Sequence, residues 1–73
     1  MGEARVIDGR AMAPPEPMEK TLSALQTLPD GEALTLLLRG KPFPLYAILK
    51  TRGFSHDTQT RPDGTVEVRI WKG

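Results

Sequence analysis

The 73-residue sequence contains no cysteine. That excludes thiolate nucleophiles, thiolate metal sites and the disulfide staples on which small secreted domains commonly depend, and a reducing cytoplasm is the compartment that fits. Aromatic residues are few, two Phe, one Tyr and one Trp, too thin a supply for the several stacking rings that single-strand nucleic-acid binders use. Charge of one sign is lacking as well. Ten Lys and Arg stand against nine Asp and Glu, for a net charge of +1, so attraction to a polyanion would have to come from a local patch. No apolar run approaches the length that spans a bilayer, and the charged start Met1 to Gly9 has no signal-peptide core. Gly2 follows Met1, but Val6 stands where an N-myristoylation signal requires Ser or Thr. No membrane partner is expected.

A chain of this length holds one small core, so residues 1–73 are read as a single domain. Val6 and Ile7 mark a short first strand over Arg5 to Asp8. Pro14 and Pro15 break the chain, and a helix is expected from about Pro15, since proline in the first turn forfeits no internal hydrogen bond. Met18, Leu22, Leu25 and Leu28 keep helical spacing, with Glu19, Lys20, Ser23 and Gln26 off the stripe. Leu28-Pro29-Asp30-Gly31 ends it.

Ala33 to Arg39 reads as a second strand, with Leu34, Leu36 and Leu38 toward the helices and Thr35, Leu37 and Arg39 on the other face. Pro44 opens a second helix carrying Leu45, Ile48 and Leu49, and Gly53 is its C-terminal cap. Phe54 to Thr60 and Thr65 to Trp71 flank the turn Pro62-Asp63-Gly64 and form a hairpin. Right-handed crossovers then place both helices on one face of the sheet. The fold class is α/β, an α+β two-layer sandwich of order βαβαββ with one sheet face open.

The stretch Ile7-Asp8-Gly9-Arg10-Ala11-Met12-Ala13-Pro14-Pro15-Glu16-Pro17 precedes the first helix. It resembles the signature of the TusA/SirA-like sulfur-carrier superfamily, Asp-x-Arg-Gly, a short spacer, then Cys-Pro-x-Pro. Asp8, Arg10, Pro15 and Pro17 match, and Leu28, Gly31, Glu32 and Leu34 follow a later Leu-x-x-Gly-Glu-x-Leu pattern. Ala11 replaces the usual glycine, and Pro14 occupies the cysteine position. The resemblance implies a four-stranded mixed sheet of order 1-2-4-3 with the last strand antiparallel. In the carriers a thiolate at the helix start accepts and passes on sulfur. Proline has neither nucleophile nor N–H, so the sequence is similar to the cysteine-lacking branch of these domains, small bacterial proteins and fused modules mostly without an assigned activity.

The resemblance makes Asp8, Arg10, Met12, Pro14, Pro15, Glu16 and Pro17 the partner-facing end. The expected role is a non-catalytic protein-interaction or regulatory module that binds another protein or a fused domain, as monomer or weak homodimer, without a cofactor. The loop is a poor anion cradle, because three prolines remove donors and Glu16 and Glu19 bring negative charge. Its Pro-x-x-Pro spacing cannot adopt polyproline II within a helix start.

Leu37, Arg39, Arg69 and Trp71 form a second candidate surface on the open face, where tryptophan is a frequent hot spot. A nucleic-acid reading of that face has the support of fold analogy to the C-terminal domain of translation initiation factor three. Glu67 dilutes the charge and Trp71 is the one ring of suitable parity, so nucleic acid is disfavoured. A small-ligand or metal-linked regulatory role has His56, Met12 and Asp8 to offer, and no second ligand of matching type lies near His56. Ser23, Ser55 and the threonines lack a base and an orienting acid, and no enzyme is expected.

Overall fold

A computed structural model describes residues 5–73. The readings that rest on residues 1–4, including Gly2, lie outside the described residues. Six elements follow in the order β1 (Arg5–Asp8), α1 (Glu16–Gln26), β2 (Ala33–Leu38), α2 (Phe43–Thr51), β3 (Phe54–Thr60) and β4 (Val66–Lys72). The sheet order is β1-β2-β4-β3, with β1 parallel to β2 and β4 antiparallel to both of its neighbours. Element order and strand order are those expected.

Alternation along β2 and β4 decides which side is covered. Leu34, Leu36, Val66, Val68 and Ile70 lie on one face and join Leu25 of α1 with Leu45 and Leu49 of α2 in a single buried cluster. Both helices therefore pack on that face. Thr21 shares the buried stripe of α1, and its hydroxyl donates to the Pro17 carbonyl at 2.7 Å, so its burial leaves no polar atom unpaired.

α1 stops at Gln26, two residues short of Leu28. Pro29 explains this, because its ring disfavours helical backbone at the residue before it. Leu28 still reaches the core from the loop and is 2% exposed. Gly31, with φ +85°, turns the chain into β2, and Gly53, with φ +82°, follows α2 and donates its N–H to the Lys50 carbonyl. The hairpin turn closes as expected around Gly64. Arg61 N–H donates to the Thr65 carbonyl at 2.8 Å, and Thr65 N–H donates to Asp63 Oδ1 at 2.9 Å. β4 begins one residue later than the sequence pattern indicates, at Val66, because Thr65 is spent on closing that turn.

Candidate functional site

The site starts where β1 ends. Gly9 continues the pairing with β2, its N–H donating to the Leu37 carbonyl at 2.8 Å. The backbones approach so closely here that an added Cβ would lie 2.9 Å from Leu38 Cδ2, 3.2 Å from the Leu37 carbonyl oxygen and 3.2 Å from Pro17 Cβ. Glycine is required for this contact between β1, β2 and the start of α1.

Asp8 and Arg10 then clasp each other across Gly9. Arg10 Nε donates to Asp8 Oδ1 at 2.9 Å and Nη2 to Oδ2 at 2.8 Å, while the Arg10 N–H adds a bond to Oδ1 at 3.2 Å. This two-point fork fits the planar guanidinium to the carboxylate. Hydrogen bonds from the Arg10 side chain, then from its N–H, hold the Asp8 carboxyl at about 2 against a usual 3.8, and Asp8 in turn raises Arg10.

Arg39 ties the end of β2 to this loop, its Nε donating to the Arg10 carbonyl at 3.1 Å. This corrects the placement of Arg39 on the open sheet face beside Arg69 and Trp71. β2 ends at Leu38, so strand alternation no longer governs Arg39, and its side chain turns to the loop.

Beyond Arg10 the chain folds back through Met12, whose N–H donates to the Gly9 carbonyl at 3.2 Å, and through the cis Pro14–Pro15 peptide. Pro15 is the N-cap of α1 and Pro17 lies in its first turn. The Glu16 N–H is spent on the Ala13 carbonyl at 3.0 Å, and prolines carry no N–H, so this helix start has few donors to aim at an anion.

The loop walls one side of a cavity of about 460 Å³. Leu36, Leu38 and Leu45 line it from the core side, Met12, Met18, Pro14, Pro15 and Pro17 from the α1 side, and Pro42 and Pro44 from the start of α2. Arg10 and Arg39 are the charged residues of this lining. Of the proposed loop residues, Asp8 holds Arg10 in place, Arg10, Met12, Pro14, Pro15 and Pro17 line the cavity, and Glu16 is exposed outside the lining.

The open-face residues do not gather in the same way. Leu37 faces that side but is only 9% exposed, set in register between Asp8 and Glu67. Each of those carboxylates carries an arginine, Arg10 on one and Arg61 on the other at 2.9 Å. Arg69 is exposed, lies opposite Asp57, and shares a hollow of about 380 Å³ with half-buried Trp71, with Glu32 and with exposed Lys72. Lys72 in turn pairs with Asp30 at 3.3 Å. Among the described residues the face alternates in sign and offers no continuous basic track.

Two features escaped sequence reasoning. One is the cavity itself, although a signal was present. Pro42-x-Pro44 repeats at the start of α2 the Pro15-x-Pro17 pattern at the start of α1, and both follow parallel-related strands, so the topology brings them together. The other is an aromatic column on α2 and β3. The His56 ring stacks on Tyr46 at 4.4 Å, the Tyr46 ring meets Phe43 edge-on at 5.9 Å, and the Tyr46 hydroxyl bonds Thr58 Oγ1 at 2.6 Å. Phe43 and Tyr46 are one helical turn apart, and His56 has the strand parity that faces α2. His56 and Asp57 point to opposite faces, and no group of three potential metal-ligating side chains occurs among the described residues.

Strand order and the packing of both helices on one sheet face define a two-layer α/β domain whose Asp8-to-Pro17 loop carries no cysteine. The chain is similar to the crystal structure of a SirA-like protein from Desulfitobacterium hafniense, with a TM-score of 0.79 over 89% of this chain and 92% of that one. At 22% identity that likeness shows the fold. The family model described as an uncharacterized conserved protein, DUF2249, matches residues 6–72, and the chain belongs to this family. A comparison with curated proteins finds no match. No helix among the described residues is long and apolar enough to cross a membrane.

Proposed function

We propose that this domain is a non-catalytic interaction module of the cytoplasm, which docks another protein or a fused domain through Asp8, Arg10, Met12 and the Pro14–Pro17 segment. The observation that carries this reading is the position of Pro14. It stands where the similar carriers have their cysteine, and it lines an apolar cavity instead of presenting a nucleophile. The loop around it is tied by the Asp8–Arg10 fork and by the Arg39 bond to the Arg10 carbonyl. A preformed loop with little left to order on binding suits recognition, since ordering loops and side chains is a main cost of association.

The test is affinity capture from the source organism with the wild type, Arg10→Ala and Trp71→Ala, each checked for folding by its amide NMR spectrum. Docking at the loop predicts that partners are lost with Arg10→Ala and retained with Trp71→Ala. Recovery of the same partners with Arg10→Ala removes the basis of the proposal.

A further inference from the structure

We propose that the cavity beneath the Asp8–Pro17 loop binds a small amphipathic carboxylate, its apolar chain between the methionines and prolines and its anionic end on Arg39. This goes beyond the protein-docking reading and does not rest on it. The cavity volume of about 460 Å³ falls within the range of about 300–1,000 Å³ usual for small-molecule sites. Its lining is mostly apolar, with Leu36, Leu38 and Leu45 from the core side and the flexible side chains of Met12 and Met18 able to follow the shape of a chain. The prolines hold the walls in one conformation, which lowers the ordering cost of binding.

Charge then selects the headgroup. Among the described residues no carboxylate lines the cavity. Both oxygens of Asp8 are committed to Arg10, so that pair is neutral as a unit. Arg39 spends only its Nε, on the Arg10 carbonyl, and no carboxylate lies within ion-pair distance of it among the described residues. Arg39 lines the cavity and its terminal nitrogens carry no hydrogen bond among the described residues, while Asp8, which feels its charge, has both oxygens bonded to Arg10; a carboxylate is the planar complement of a guanidinium so placed. A phosphate dianion would need more donors than a proline-rich helix start supplies. A nucleobase would need a stacking ring, and among the described residues no aromatic side chain lines the cavity.

The probe is decanoate, kept below its micelle concentration and titrated into protein labelled at backbone amides and at methionine and leucine methyls. Decanol supplies the same chain without charge, and acetate the headgroup without the chain. The expected result is saturable shifts of the Met12, Met18 and Leu38 methyls, with decanoate binding about tenfold or more tighter than either control. Arg39→Gln should reduce decanoate to the decanol level, while Arg39→Lys, which keeps the charge if the loop tie is disturbed, should retain a clear preference for the acid. Equal affinity for decanoate and decanol, shifts confined to Trp71 or Tyr46, or an unchanged affinity in Arg39→Gln would overturn the proposal. Captured protein partners and decanoate shifts are separate readouts, so either reading can fail while the other stands.

Discussion

The core and the cavity are two apolar regions of one layer, and they share Leu36 and Leu45. In the core these leucines meet Leu49, Val68 and Ile70, residues at most 1% exposed, and the space is closed. Toward the ends of β1 and β2 the same side chains face prolines and methionines, and the space stays open. The difference lies in the partners. β-Branched and leucine side chains on regular elements interdigitate to near-crystal density, whereas a proline-bound loop cannot settle onto the leucines beneath it. An apolar pattern in sequence marks both regions alike, and backbone freedom decides which of them closes.

The strongest way to break the comparison is at the core. Ile70→Ala removes a fully buried side chain and should cost about 2–5 kcal/mol, read as a lower denaturant midpoint with little change in slope. A smaller loss at Ile70 than at an exposed site such as Val6, 56% exposed, would show that the closed region is not what stabilises the fold. Gly9→Ala comes next, at about 1–3 kcal/mol, because the new methyl meets the Leu37 carbonyl and Pro17 across a contact that must widen. Its amide shifts should spread from Gly9 into the cavity lining and leave the Pro62–Gly64 turn in place.

Most of the closed region was legible in the sequence, and the open region much less so. Leu34, Leu36, Val66, Val68 and Ile70 alternate cleanly, and Met18, Leu22 and Leu25 keep helical period, so periodicity alone assigns their faces. β1 and β3 fall over the residues expected, as does the turn that Gly64 permits. The end of α1 came early because a backbone restriction at Pro29 outweighed the leucine spacing that runs on to Leu28. Arg39 was assigned by strand parity one residue past the strand, where parity has no force. Leu37 has the expected parity, but it is buried, in register between Asp8 and Glu67 of the neighbouring strands, each of which pairs with an arginine. The Asp8-to-Pro17 loop was found through its resemblance to a family signature. The cavity beneath it forms only once two separate Pro-x-Pro segments converge, which no local pattern specifies.

The Asp8–Arg10 fork yields a pH prediction. The Asp8 carboxyl titrates lower in the folded state than in the unfolded chain, at about 2 against 3.8, so its contribution to stability is present above about pH 4 and is lost as pH falls toward 2. Its carboxyl carbon shift should report the low midpoint, and Arg10→Ala should return it toward the usual value. An unchanged midpoint in Arg10→Ala would contradict the fork. The smallest effect is expected at the open face. Arg61→Ala breaks an exposed pair with Glu67 and should change stability by only about 0–1 kcal/mol, less than Gly9→Ala in the same denaturant series.

The most direct test of the docking surface is hydrogen–deuterium exchange on the domain bound to a partner captured with the wild-type chain. Docking at the loop predicts slowed exchange at the amides of Gly9 to Met18 and of Arg39 to Leu45, with β3 and the open side of β4 unchanged. Protection confined to Phe54–Thr60 and Val66–Lys72, with the loop exchanging as in the free protein, would contradict it.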